Sequence, residues 1–221
     1  MTRAPLTLPW LRRLREDASG LALVEFALSA PIVLAMFLSG AELTNYAITK
    51  MRISQAALHV ADNGSRIGSN SLLTAPQISE TQINDLLIGA NLQAGSVDLA
   101  GRGRVIVSSL EPIADPNTTS RYKIHWQRCY GAKSFTSSYG EQGDTDLTGM
   151  GPTDHKVTAP EGGGVIFVEI AYDYKPLISA SLVPNTVIHE IAAMTVRDDR
   201  DYAGNGDTGI YNSEGAAPST C

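Results

Sequence analysis

The chain has 221 residues, which is enough for one ordinary domain with an anchor or for two small domains. Its 17 basic and 23 acidic residues give a net charge of −6. A general nucleic-acid binder normally has a basic face, so this balance argues against nucleic acid as a partner.

The first predicted element is a helix that begins with an apolar run from Leu21 to Ala41. About twenty helical residues span ~30 Å, the thickness of the hydrocarbon core of a bilayer. Arginines cluster before this run and few basic residues follow it, so the positive-inside rule predicts a cytoplasmic N-terminus and an exported C-terminal region. We therefore divide this part of the chain into a leader, residues 1–20, and a transmembrane helix, residues 21–41. Pro31 is expected to kink the helix.

The helical pattern continues beyond the membrane as an amphipathic segment, residues 42–63, which ends near Asn63-Gly64. We expect one stripe of this segment to cover the exported domain and the remaining apolar surface to be shared between the bilayer and neighbouring subunits. The apolar residues at spacings of three, four or seven are Leu43, Ala47, Met51, Leu58 and Ala61.

Glu25 is the one ionisable residue inside the apolar run. A charge at the centre of a bilayer costs several kcal/mol on most scales, so such a residue is a functional candidate with a partner. If a peptidase cuts after Gly20, Leu21 carries a free α-ammonium and Glu25 lies one helical turn away. The two charges then pair either within one chain or between neighbouring subunits.

The segment Gly20-Leu21-Ala22-Leu23-Val24-Glu25-Phe26 resembles the processing site of type IV prepilins. Its Ala-Leu-Val-Glu-Phe variant resembles the TadE-like proteins (TadE/TadG type) of the tight adherence, or Flp, pilus system. The resemblance implies cleavage between Gly20 and Leu21 by a prepilin peptidase. It also implies that Glu25, next to Phe26, pairs with the new N-terminus and sets the register between subunits.

The same resemblance implies a non-enzymatic, pilin-like minor pilin or pseudopilin without a cofactor. It places the chain in the bacterial inner membrane with a periplasmic C-terminal domain. The implied partners are other pilin-like subunits, the pilus assembly platform, the prepilin peptidase and the membrane itself. Three positions are compatible with it: the extracellular fibre, the tip of the fibre, and the assembly platform in the membrane.

Three alternatives to this interpretation stay open. A secretory signal would be cleaved after Ser39-Gly40-Ala41, leaving Glu42 as the first residue. A plain anchor would remain uncleaved. The third alternative is a periplasmic ligand-binding or enzymatic domain on a simple tether, with the glycine-rich residues 131–164 as its ligand site.

The exported part, residues 64–221, is predicted to be an α+β domain in which an antiparallel sheet lies against the long N-terminal helix. Ser79 and Gln82 have the spacing of a capping box at the start of a short helix. Tyr122, Ile124 and Trp126 alternate with polar residues, which predicts a sheet with one solvent-exposed face. The predicted elements are a helix at 79–90, strands at 104–110, 122–127, 165–174 and 186–197, and long loops at 131–164 and 198–221.

The only cysteines are Cys129 and Cys221. Their even number, wide spacing and exported position favour one disulfide in an oxidising compartment. Two unrelated free thiols and a link between two subunits are the alternatives.

No enzyme signature is complete. His189-Glu190 begins like a zinc-protease motif, but Ala193 stands where the second histidine belongs. Ser120 and Lys123 have the Ser-x-x-Lys spacing without its companion motifs. Gly101-Arg102-Gly103 is predicted to be a turn, and the four histidines lack metal-ligand spacing. We therefore predict no catalytic residue.

Residues 198–207 are a weak calcium candidate because several oxygen-bearing side chains lie close together in the sequence. Their spacing departs from the EF-hand loop, so a solvated acidic turn is the favoured interpretation and no metal is predicted. The side chains concerned are Asp198, Asp199, Asp201, Asn205 and Asp207.

Overall fold

The computed structural model describes residues 19–68 and 74–221. A single helix, α1 (Ser19–Gly64), runs for 46 residues and continues through Pro31. At 1.5 Å per residue it is roughly 70 Å long. A four-stranded antiparallel sheet follows, so the prediction of an α+β fold with a long apolar N-terminal helix is confirmed.

The sheet has the strand order β2-β1-β3-β4, and every neighbouring pair is antiparallel. The elements after α1 are α2 (Glu80–Gln93), α3 (Leu99–Arg102), β1 (Gly103–Pro112), β2 (Tyr122–Tyr130), β3 (Val165–Asp173), a 3-10 turn (Ala180–Leu182) and β4 (Val187–Thr195).

Two local signals decide where the short helices begin. Ser79 and Gln82 form the predicted capping box at the start of α2, each side chain accepting the backbone N–H of the other residue. Gly101-Arg102 belongs to the single turn of α3 and Gly103 begins β1, so the predicted turn is instead helical. The side chain of Asp98 caps that turn by accepting the N–H of Gly101 at 2.8 Å.

The main core lies between the two longer helices and one face of the sheet. Small residues of α1 let its backbone approach the sheet closely, and α2 adds leucine and isoleucine side chains. The buried members include Ile53, Ala57 and Val60 of α1, Ile83 and Leu87 of α2, and Val107, Trp126, Val168 and Ile170 of the sheet.

The face of α1 that packs on the domain differs from the predicted stripe. Leu43, Ala47, Met51 and Leu58 are exposed, and of the predicted set only Ala61 is buried. The contact is formed by Ala56, Ala57 and Ala61 together with Ile53 and Val60, and its small side chains let α1 approach the sheet closely. The four exposed residues form a stripe on the side of the helix away from the domain, and we call them the outer stripe.

Residues 131–164 cover the second face of the sheet. Tyr139 packs edge-on against Phe167 with ring centroids 5.4 Å apart, and Gly140 accepts a hydrogen bond from the Gln127 amide. A second core cluster forms there around Leu110, Ile124 and Phe167. The prediction of one solvent-exposed face was therefore wrong, because this loop excludes solvent from it.

A bulge explains why the alternation in β2 was misleading. The pairing of β1 with β2 shifts register between Ser109 and Leu110. Consequently Ile124 and Trp126, although two residues apart, lie in different core clusters on opposite faces of the sheet.

The C-terminal residues 198–221 are fixed to the domain despite their polar composition. The guanidinium of Arg200 donates to the carbonyl oxygens of Gly64 and Ile67, so a cation satisfies acceptors at the C-terminal end of α1. Tyr211 exchanges backbone hydrogen bonds with the segment before α2, and Ile210 is buried in the main core.

Candidate functional site

The N-terminal half of α1 is an apolar surface without contacts to the domain. All residues from Leu21 to Ser29 are exposed, and large side chains such as Phe26 and Phe37 remain bare. The helix is long and apolar enough to cross a membrane. In water this surface would be strongly unfavourable, so its environment is expected to be lipid or other protein.

Gly20 and Glu25 both lie on this bare half. A Cβ added at Gly20 would meet no atom within 4 Å, so no packing contact requires glycine there. Glu25 lies one turn after Leu21 and is exposed, and its side chain forms no hydrogen bond or ion pair with another described residue. The cleavage at Gly20, the pairing of Glu25 and the role of Phe26 stay predictions; the arginines of the leader lie outside the described residues.

Glu42 begins the second half of α1 and is fully buried. One carboxylate oxygen accepts the Tyr174 hydroxyl at 2.7 Å and the N–H of Leu177 at 3.3 Å. The other accepts the N–H groups of Ile178 at 2.6 Å and Ser179 at 3.3 Å. These donors come from the connection between β3 and β4, so Glu42 fastens that connection to the helix where the apolar half ends.

Two further side chains extend this junction. The amide of Asn45 donates to the Tyr174 hydroxyl at 2.6 Å, and the ring of Tyr46 meets that of Tyr174 edge-on with centroids 5.1 Å apart. The sequence signal that we missed is a lone glutamate at the end of a long apolar run. Its donors lie more than 130 residues later in the chain, where nothing in the sequence relates them to it.

Buried polar clusters in the sheet have structural partners. Although burial acts to raise it, hydrogen bonds from His189, Ser138 and Ser137 hold the pKa of Glu169 below its usual value. His189 is therefore hydrogen-bonded to Glu169. Its neighbour Glu190 forms an ion pair with Lys50 of α1, with 3.6 Å between Nζ and Oε1.

A second cluster surrounds His125. Its Nδ1 donates to the carboxylate of Glu111 at 2.7 Å, and its Nε2 lies 3.0 Å from the carbonyl oxygen of Asp207. The hydrogen bond to Glu111 raises the pKa of His125, although burial opposes the shift. The Ser109 hydroxyl donates to the same Glu111 carboxylate. Glu111 therefore lies between Ser109 and His125 in this chain of hydrogen bonds, and the serine hydroxyl is not bonded to the imidazole. Because Ser109 is not hydrogen-bonded to His125, this cluster lacks the serine–histidine contact by which a base activates a nucleophile.

Comparison with protein families gives a match in α1. Residues 20–62 match the model of the TadE-like protein family. The match covers nearly all of α1 and none of the elements after it. No curated protein and no solved structure matches the chain.

The TadE-like match supports the resemblance found in the sequence. The TadE-like family is associated with Tad pili, and it is a structural family that is not known for enzymatic activity. The long apolar helix agrees with a single-pass membrane anchor in a pilus system.

A disulfide between Cys129 and Cys221 fixes the C-terminal residues to β2. The Cα atoms are 4.9 Å apart, and the bond spans a sequence separation of 92. The N–H of Cys129 also donates to the carbonyl oxygen of Ser219 at 2.8 Å. The last residues are therefore held by both covalent and hydrogen bonds.

Two aspartates of the calcium candidate face different partners. Asp201 accepts hydrogen bonds from Tyr211, Ala203 and Gln77, and Asp207 lies beside His125. Within residues 19–68 and 74–221 no group of three or more His, Cys, Asp or Glu side chains is arranged to hold a metal ion.

Proposed function

We propose that the protein is a membrane-anchored minor pilin or pseudopilin that takes part in assembly of a tight-adherence type IV pilus. In this role α1 crosses the inner membrane with its N-terminus in the cytoplasm, and the sheet domain lies in the periplasm. The observation that supports this role most strongly is the coincidence of the TadE-like match with a helix whose N-terminal half is apolar, bare and carries one carboxylate. The partners are other pilin-like subunits, the assembly platform and a prepilin peptidase.

Cleavage between Gly20 and Leu21 would change the electrostatics of the anchor. It removes a leader rich in arginine, which favours the cytoplasmic face, and it creates an α-ammonium at Leu21. In hydrocarbon, a register that leaves either this ammonium or Glu25 unpaired is strongly penalised. The pair therefore sets the stagger between neighbouring subunits more than it adds affinity.

The outer stripe provides a lateral surface for such neighbours. It continues along α1 beyond the membrane, on the side of the helix that the domain leaves free. Helices with exposed apolar stripes associate side by side because each buries the stripe of the other.

Substitution of Glu25 tests the registry role. We expect Glu25→Ala to insert into the membrane normally but to abolish or strongly reduce piliation, because the α-ammonium then lacks its partner. Glu25→Gln, which keeps the shape and removes the charge, should behave the same way. Ser29→Ala, one turn further along the same exposed face, is the matched control. Pili of normal number in cells with Glu25→Ala would refute the role.

N-terminal sequencing of the membrane-extracted protein tests the processing. We expect Leu21 as the first residue, and Gly20→Val should block cleavage by placing a branched side chain at the scissile bond. Gly40→Val is the control, because a Cβ meets no atom within 4 Å at either glycine and both lie in α1. A mature protein that begins at Met1 would indicate a plain anchor, and one that begins at Glu42 would indicate a secretory signal.

A further inference from the structure

We propose that the connection between β3 and β4 is a second membrane contact, which inserts Leu177 and Ile178 into the interface of the bilayer that α1 crosses. The inference rests on the anchoring part of the proposed function, not on pilus assembly. The contact lies in the exported domain, in a part of the chain that the TadE-like match does not reach.

The height of this connection is fixed relative to the membrane span. Glu42 follows the last residue of the predicted span, so it lies about 1.5 Å beyond the end of the apolar run. The backbone N–H groups of Leu177, Ile178 and Ser179 all donate to its carboxylate. Hydrogen bonds of this kind hold the connection at the level where α1 leaves the hydrocarbon.

The side chains at that level suit a lipid interface. Leu177 is 66% exposed and Ile178 is 44% exposed, although the backbone N–H groups of both residues donate to the buried carboxylate of Glu42. Lys175 is also exposed, and a lysine beside apolar residues places its ammonium among headgroup phosphates while its stem stays in the apolar layer. Apolar tips flanked by a lysine are typical of segments that lie in the interface.

We favour the bilayer over a protein as the partner of Leu177 and Ile178, because the apolar surface of the span is continuous with the connection between β3 and β4. Leu38, which lies one helical turn before Glu42 on the same face of α1, is 46% exposed, so bare apolar surface of the span leads up to the anchored connection. A lipid surface that surrounds the helix at Ala41 must also meet side chains fixed beside Glu42. With two contacts, rotation of the domain about the axis of α1 would be restrained.

Tryptophan reporters in the full-length protein test this contact. The protein is reconstituted at low density in phosphatidylcholine vesicles with and without bromine on the acyl carbons nearest the glycerol. Three single variants are compared, Leu177→Trp, Leu34→Trp inside the span and Leu92→Trp on α2. The signal of the parent protein, which has the same native tryptophans, is subtracted.

Leu92 is the matched control because it is also an exposed leucine, at 75%. It lies near the end of α2 where Arg52 of α1 binds Ser96. Arg52 follows Glu42 by ten residues, which is about 15 Å along the helix. A tryptophan at Leu92 should therefore stay beyond the reach of the brominated chains.

We expect Leu177→Trp to show at least about half of the quenching of Leu34→Trp, and Leu92→Trp to show almost none. If Leu34→Trp is quenched but Leu177→Trp is quenched no more than Leu92→Trp, the membrane contact of the connection is overturned and the membrane anchor stands. A blue-shifted Leu177→Trp emission without quenching would also overturn it, since a neighbouring subunit would then cover the site. Absence of quenching at Leu34→Trp would instead refute the membrane span itself.

Discussion

Two glutamates of α1 have opposite surroundings, so we expect them to have opposite roles. Glu25 is exposed on a bare apolar surface and has no partner among the described residues, whereas Glu42 is buried and accepts four hydrogen bonds. A carboxylate without a partner on an apolar surface indicates a partner from outside the folded chain. A buried carboxylate that accepts four hydrogen bonds, such as that of Glu42, indicates a fixed contact within the folded chain.

His125 should make the stability of the domain depend on pH. Both ring nitrogens face acceptors, and the hydrogen bond to Glu111 raises the pKa of the folded state above the usual value near 6.5. The stabilisation is therefore complete below about pH 6.5 and is lost as the pH rises through the folded pKa. We expect the melting temperature to fall over that range.

The variant His125→Asn isolates this effect. The difference in melting temperature between the native protein and His125→Asn should be largest near pH 6 and should shrink as the pH is raised. Lys123 and Asp207, the other charged residues beside the ring, stay unchanged in this comparison. A difference that is constant with pH would show that His125 does not titrate in this window.

Substituting only one partner of the Arg128–Glu80 ion pair should strongly lower the free energy of unfolding. Both side chains are buried, and the guanidinium donates to both carboxylate oxygens, with Nε 2.9 Å from Oε2. Removing one partner leaves an uncompensated buried charge, so Glu80→Gln or Arg128→Met should each lower the free energy of unfolding by about 3–5 kcal/mol.

The double variant is the decisive measurement for this pair. Because Glu80→Gln with Arg128→Met leaves no isolated charge, its loss measured by denaturant unfolding should be clearly smaller than the sum of the single losses. Strict additivity would mean that the two side chains do not stabilise each other.

At the scale of elements, Glu42 should control the connection between β3 and β4. In Glu42→Ala the N–H groups of Leu177 and Ile178 lose their acceptor, so the connection opens more often. We expect chymotrypsin to cleave after Leu177 roughly tenfold faster, as followed by mass spectrometry. Glu161→Ala, at an exposed glutamate, is the control, and equal cleavage rates in the two variants would contradict the role of Glu42.

Most elements could be predicted from local signals, because those signals act within a few residues. The capping box of Ser79 marked the start of α2, runs rich in valine and isoleucine marked β1, β3 and β4, and alternation of apolar and polar residues marked β2. The bulge at Ser109 could not be predicted, since it depends on how β1 meets β2. For the same reason the opposite positions of Ile124 and Trp126 were missed.

Only the linear part of the candidate site could be proposed from the sequence. The pattern from Gly20 to Phe26 consists of consecutive residues and can be read along the chain, and its roles in cleavage and pairing stay predictions. The joint at Glu42 was missed because its donors are far away in sequence. The contact face of α1 could not be located from the spacing of apolar residues, because a second set at similar spacing, which includes Ala56 and Ala57, packs on the sheet.

For the whole molecule, the disulfide is expected to be a major source of stability. Closing a loop with a sequence separation of 92 contributes about 4–5 kcal/mol in the chain-entropy estimate. Cys129→Ser with Cys221→Ser should therefore lower the melting temperature by on the order of 10 °C.

Reductant provides the control for the disulfide. It should lower the melting temperature of the native protein to that of the double serine variant and should leave the variant unchanged. A non-reducing gel should show monomers. Dimers that disappear on reduction would indicate instead that the terminal cysteine joins two subunits.

The continuity of α1 also has a mechanical consequence. One unbroken rod carries the bare apolar half at one end and the packed sheet at the other. A pull along the axis of that rod loads the contact between helix and sheet in shear, so many side chains resist at once instead of separating one by one. Extraction of the subunit from lipid would thus move the domain as a single rigid load, with the joint at Glu42 among the first points to bear the force.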